Sequence, residues 1–157
     1  MAGHAPSFDV THLEGKRIAI ISARWHREIC QAMVAGAQRA LTSAGITNPD
    51  LIEVAGSFEL PLAAKIAFDS GIDAAVVLGV VVRGETPHFD YVCQGVTEGI
   101  MNLSLNTGKP IGFGVLTVDT VEQAIARSGV PGSKEDKGYD SAMAALDLLR
   151  IKEDFSR

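Results

Sequence analysis

Apolar residues along the chain follow two alternating periods. Short runs rich in β-branched residues, Lys16 to Ser22, Leu51 to Ala55, Ala74 to Val82 and Ile111 to Val118, read as strands. The third is apolar throughout, the mark of a strand buried on both faces of a parallel sheet. Between the runs, apolar positions recur at helical spacing. Ile29, Cys30, Met33, Val34, Ala37, Leu41 and Ala44 predict a helix from His26 to Gly45. Further helices are expected from Phe58 to Ser70 with Pro61 in the first turn, from about Phe89 to Asn106, and from about Asp136 to Glu153, with Ala142, Ala145, Leu146 and Leu149 on one face. Asp119-Thr120-Val121-Glu122 resembles a capping box that opens a short helix ending near Ser128, and residues 129–134 read as a loop.

Four strands alternate with helices, so the expected fold class is α/β: a three-layer α/β/α sandwich around a four-stranded parallel sheet in the flavodoxin-like order 2-1-3-4. Residues 1–15 lack either period and read as an N-terminal arm, whose Phe8-Asp9-Val10 alternation could add a strand to a neighbouring subunit's sheet. Residues 16–157 form the single domain. A net charge of -5 and the absence of a Lys/Arg block argue against a nucleic-acid partner. The longest apolar run is far short of the roughly 20 residues that cross a bilayer, so no membrane span is expected. Cys30 and Cys93 form no CxxC and no dense framework, which fits reduced, packed thiols and a cytoplasmic protein. A hydrophobic share of 46% is high for a chain of this size and points to a homo-oligomer that covers part of the surface.

In a parallel sheet the segments after successive strands meet at one edge, where such folds bind ligands. After the first strand comes Ala23-Arg24-Trp25-His26; Trp25, the only tryptophan, serves there equally as a core residue or as a stacking platform for a flat ring. After the second comes Gly56-Ser57-Phe58-Glu59, whose exposed helix-start amides could receive a ligand, although Glu59 also suits a helix's first turn. The third strand ends in Arg83-Gly84-Glu85-Thr86-Pro87-His88. Gly84 and Thr86 could cradle a phosphate, but Glu85 beside them rules out a P-loop. His88, just ahead of a helix, is a candidate general acid/base or a structural histidine at the helix start. After the fourth strand Arg127, Lys134 and Lys137 are the cations that could meet a phosphate, or simply solvated charges. No two of His4, His12, His26 and His88 have metal-ligand spacing with each other or with the cysteines, so no metal site is expected. No GxGxxG follows a strand.

Taken together, Ala23 to His26, Ala55 to Pro61, Gly79 to Asp90 (GVVVRGETPHFD), Gly114 to Thr117 and Asp136-Lys137-Gly138 closely resemble the lumazine synthase family, in order and over nearly the whole chain. The resemblance implies the penultimate step of riboflavin biosynthesis: condensation of 5-amino-6-(D-ribitylamino)uracil with 3,4-dihydroxy-2-butanone 4-phosphate, without metal or cofactor. It implies that Trp25 stacks on the pyrimidine, that Ser57 and Glu59, in the segment with Phe58, hold the ribityl hydroxyls, and that Val81 and Val82 meet the pyrimidine edge through their backbone. By the same resemblance Glu85, Thr86 and Arg127 bind the phosphate, His88 shuttles protons, and Phe113 and Lys137 reach in from an adjacent subunit.

The family implies pentamers that stand alone, pair, or close into a shell of twelve. The Ser128 to Asp136 loop looks longer than in shell-forming members, which favours the free pentamer. Two other readings stand beside the enzyme: a flavin- or lumazine-binding or scaffold homologue that has lost catalysis, and a flavodoxin-like FMN or signalling domain. Intact Glu59, His88 and Arg127 speak against the first. The second needs an acidic pocket or a phosphate loop after the first strand, which Ala23-Arg24-Trp25 does not supply.

Overall fold

The computed structural model describes residues 3–156. The strands are β1 (Ile18–Ala23), β2 (Asp50–Val54), β3 (Ala74–Val82) and β4 (Ile111–Val118), and the helices α1 (Arg27–Ser43), α2 (Leu60–Asp69), α3 (His88–Thr107), α4 (Val121–Ile125) and α5 (Lys137–Phe155). All strand pairs are parallel and the order is β2-β1-β3-β4, as the alternation of periods predicts. Each predicted element is present within two residues of its expected start.

Side-chain alternation along β1 and β3 divides the core between the two faces of the sheet. Ile18, Ile20, Val76 and Leu78 point to the side covered by α1 and α5, where Met33, Leu41, Leu146 and Leu149 meet them. Ala19, Ile21, Ala75 and Val77 point to the side of α2 and α3 and meet Leu60, Ala64, Phe68, Val96 and Ile100. All nine residues of β3 are apolar because β3 has a strand on either side and helices above and below. The α1–α5 contact depends on two glycines: a side chain at Gly138 would collide with the backbone carbonyl of Met33, and one at Gly36 with Asp136 at the cap of α5. Gly108 ends α3 in the left-handed conformation, φ 63°, which removes the penalty a Cβ would bring there.

Two details depart from the sequence pattern. The segment before α2 is a separate 3₁₀ turn, Ser57–Glu59, so the expected single helix begins at Leu60 with Pro61 at its start. The cap of α4 sits one residue later than the predicted box: Thr120 Oγ1 accepts from the Gln123 N–H at 3.3 Å, and Gln123 Oε1 accepts from the Asp119 N–H at 2.8 Å. The described part of the N-terminal arm forms no strand in its own chain. Val10 and Leu13 are buried against the α1–α5 side, with Phe8 packed beside them. Residues 1, 2 and 157 lie outside the described residues.

Candidate active site

The loops after β1, β2 and β3 converge at the carboxyl edge of the sheet and enclose a crevice of about 660 Å³. Its wall brings together seven of the residues singled out in the sequence, Trp25, Ser57, Phe58, Glu59, Val81, Val82 and His88, which come from three separate stretches of the chain.

β1 stops at Ala23 where its partner β2 stops at Val54, and the Arg24 N–H closes the edge by donating to the Val54 carbonyl at 2.9 Å. The chain then turns through His26, at φ 55° and ψ 51°. A non-glycine residue in this left-handed region stores strain of about 1 to 3 kcal/mol, and such strain collects at functional sites. The turn holds Trp25 with 70% of its surface open, so its indole is no core residue but a free flat face on the crevice.

Across from it, the 3₁₀ turn presents Ser57, Phe58 and Glu59. Glu59 folds back so that Oε2 accepts from the Gly56 N–H at 2.9 Å, satisfying a backbone donor that the turn's start leaves free. Ser57 is 95% buried, since it is only 5% exposed, and its hydroxyl has no hydrogen-bond partner. It packs against the bare Cα of Gly79, where a side chain would collide with it. An orphan buried hydroxyl costs about 1 to 3 kcal/mol.

The floor is backbone. β3 pairs with β1 only as far as Leu78, opposite Ser22, but pairs with β4 as far as Val82, opposite Val118. The stretch from Gly79 to Val82 therefore runs past the end of β1 and leaves one side of its ladder open to the crevice. Val80, Val81 and Val82 line the wall there, offering amide donors and carbonyl acceptors in strand geometry. His88 opens α3, its backbone N–H 3.4 Å from Thr86 Oγ1, and its imidazole lies on the crevice wall.

Five predicted residues lie off this wall. Glu85 and Thr86 are exposed on the loop directly before His88. Phe113, 41% exposed, stands on the outer strand β4, on the α2–α3 side between buried Ile111 and Val115. Arg127 and Lys137 flank the loop between α4 and α5, where both approach Glu135 at 3.4 Å, and the Lys137 N–H donates to the Arg127 carbonyl at 2.9 Å. An antiparallel bridge from Ser128 to Asp136 closes this loop. The crevice also takes in His26, Gly56, Val80, Tyr91 and Val92, which were not singled out. For Tyr91 and Val92 a signal existed, since they lie three and four residues after His88, on the same helical face.

Among the described residues no three His, Cys, Asp or Glu side chains converge as a metal site would require. No helix among them is long and apolar enough to cross a membrane.

A family model described as 6,7-dimethyl-8-ribityllumazine synthase matches residues 15–153. Proteins named 6,7-dimethyl-8-ribityllumazine synthase are similar to this chain over most of both lengths. That of Streptomyces coelicolor is 53% identical, covering 90% of this chain and 88% of its own. That of Clavibacter michiganensis subsp. michiganensis is 52% identical, with 93% and 92% covered. That of Paenarthrobacter aurescens is 51% identical, with 99% and 100% covered. A match that begins before β1, ends within α5 and takes in every loop of the crevice leaves one conclusion: the chain belongs to the 6,7-dimethyl-8-ribityllumazine synthase family.

Proposed function

We propose that the crevice is the site where 5-amino-6-(D-ribitylamino)uracil condenses with 3,4-dihydroxy-2-butanone 4-phosphate to give 6,7-dimethyl-8-ribityllumazine, phosphate and water. The observation that carries this reading is the open side of β3 lying between an exposed indole and the ribityl-facing turn. A pyrimidine can lie flat on Trp25 while its edge hydrogen-bonds the backbone of Val81 and Val82. The ribityl chain then runs along the 3₁₀ turn, where Ser57 supplies its orphan hydroxyl and Glu59 the carboxylate oxygen not held by Gly56, with Phe58 as the apolar wall.

The chemistry asks for proton movement and positioning. The 5-amino group adds to the ketone and loses water to form an imine. Loss of a proton from the adjacent carbon expels the phosphate, and the resulting enol tautomerises. The ribitylamino nitrogen then closes the ring and the second water leaves. A single imidazole can serve these transfers, and of the two histidines on the crevice wall, His26 and His88, we assign them to His88 at the start of α3. Correct orientation of two bound substrates is worth roughly 7 to 11 kcal/mol, so most of the acceleration comes from the crevice itself.

The phosphate is assigned to Glu85 and Thr86 through the loop backbone and hydroxyl, with Arg127 as the cation. Arg127 and Lys137 are tied to each other across Glu135, so they serve the same crevice. Both lie off the wall of their own chain, and with Phe113 we assign them to the crevice of an adjacent subunit. Supporting this, the outer faces of α2 and α3 expose Leu62, Ile66, Met101 and Leu105 at 57% or more of their surface, a band that a second copy would cover. A free ring of five is the assembly proposed, without closure into a shell, and the two unpaired cysteines suit a cytoplasmic enzyme.

The test is to mix the purified protein with both substrates and follow lumazine absorbance and fluorescence. Product and phosphate released together above the uncatalysed rate are expected. A rate equal to background would overturn the reading. Mixing refolded His88→Ala and Arg127→Ser subunits should restore part of the activity that each lacks alone. No restoration in rings shown to be mixed would sink the assignment of Arg127 to the neighbour.

A further inference from the structure

We propose that Arg83 is a positioning residue that holds two catalytic elements in register: the start of α3, which carries His88, and the start of α4, which leads to Arg127. It is not part of the crevice wall. Its guanidinium instead occupies the junction between the ends of β3 and β4. Arg83 Nε donates to Asp119 Oδ1 at 2.8 Å, and Nη1 reaches Asp90 Oδ1 at 3.5 Å. The guanidinium carbon lies 4.3 Å from the centroid of the Phe89 ring. Phe89 and Asp90 directly follow His88 in the first turn of α3. The Arg83 N–H anchors the same residue to β4 by donating to the Val118 carbonyl at 2.9 Å.

From Asp119 the chain of contacts continues. The Asp119 N–H donates to Gln123 Oε1 at 2.8 Å, and the Gln123 carbonyl accepts from Arg127 Nη1 at 2.8 Å. One unbroken path of hydrogen bonds thus runs from the turn bearing His88 to the proposed phosphate cation. Only a planar fork can meet Asp119 and Asp90 with different nitrogens while stacking on a ring, so lysine cannot replace it. The ion pairs are about half exposed, and exposed pairs add little to stability. Their effect is therefore on geometry.

This inference rests on the proposed roles of His88 and Arg127. If Arg127 serves an adjacent crevice, Arg83 links the proton-transfer group of one site to the phosphate group of the next. Sites around a ring are then mechanically joined rather than independent.

Arg83→Gln and Arg83→Lys, with Asp119→Asn, provide the test. Each is expected to lower kcat by about 10-fold and to raise KM for the butanone phosphate several-fold, with a melting temperature close to that of the parent. The Arg83→Gln/Asp119→Asn double variant should be no worse than either single change. Additive losses, an active Arg83→Lys enzyme, or losses matched by a fall in melting temperature would overturn the proposal. Hydrogen exchange followed by mass spectrometry reads the same link without turnover. In Arg83→Gln, protection should fall together at 88–93 and 119–125; a fall in only one segment, or in neither, would refute the coupling. Should the parent protein make no lumazine, the proposed function fails, while the exchange result still decides on Arg83.

Discussion

Gly99→Ala tests whether the 3₁₀ turn proposed to face the ribityl chain is set by helix packing. Gly99 lies inside α3 facing α2, and a Cβ built on it would sit 2.8 Å from Pro61 Cγ and 2.9 Å from Pro61 Cβ. Carbon atoms pack best at about 3.5 to 4.0 Å, so the contact must open by roughly 0.7 Å. A proline ring cannot swing aside. Pro61 is at the start of α2, two residues after Glu59, so the displacement passes into the 3₁₀ turn. Two opposing energies follow. Replacing a mid-helix glycine with alanine stabilises the helix by about 1 kcal/mol, and overpacking costs about 1 to 3 kcal/mol. The net effect is at most about 2 kcal/mol destabilising, or a melting temperature lower by up to about 8 °C for a domain of this size. Function should suffer more, because a misplacement approaching 1 Å costs up to about 100-fold. We expect kcat/KM to fall by about 10-fold, mainly through KM for the ribitylaminouracil. Pro61→Gly in the same chain should recover most of that loss. A Gly99→Ala protein that melts higher and keeps its KM would show that α2 has room to move, and the reasoning would be refuted.

His88→Ala should slow turnover by about 100-fold or more yet leave a rate above background, since positioning remains; steady-state kinetics showing a dead or an unimpaired enzyme would count against a proton-shuttle role. Arg127→Ser should raise KM for the butanone phosphate while changing kcat little, and an unchanged KM would remove it from the phosphate site. Burial pushes the Cys30 thiol up to about 11 from its usual 9.0. The folded protein holds that proton more tightly than the unfolded chain, so the contribution is complete below pH 9 and is lost as pH rises towards 11. By pH 10 that is about 1.4 kcal/mol, and urea midpoints at pH 8 and 10 should fall further apart for the parent than for Cys30→Ala. Asp136 caps α5 through the Tyr139 N–H at 3.0 Å and pairs with Arg39 at 2.6 Å. Asp136→Ala should cost about 1 to 2 kcal/mol in urea unfolding, and Asp136→Asn much less because asparagine caps as well.

The sheet and its order were legible because strand and helix periods never overlap, and an apolar β3 can only lie centrally. The loops that carry chemistry were legible as positions, since each follows a strand. What the sequence could not supply was exposure. Trp25 fits a core or a platform equally until the left-handed turn at His26 is seen to hold it outward. Glu59 illustrates the same limit: spacing suggested a helix-dipole partner, whereas the side chain bends back to the Gly56 amide and still faces the crevice. Phe113 was singled out through the family resemblance alone, and its place on the outer strand is what leaves it partly open. Tyr91 and Val92 carry no signal of their own in the sequence, and only the helix that His88 opens brings them round to the crevice.

The overhang of β3 beyond β1 has a consequence for how selectivity can change. A ligand edge read by main-chain amides meets groups that every amino acid supplies, so substitutions at Val80, Val81 or Val82 alter the width of the slot but leave the pattern of donors and acceptors intact. Drift in these side chains would leave the heterocycle it accepts unchanged. To favour a different ring, mutation would have to lengthen β1 or shift its register against β3, closing the open rungs, and a register slip of one residue reverses every buried side chain of the strand. The part of the crevice proposed to read the ring is thus locked to the core, and only the loops around it are free to vary.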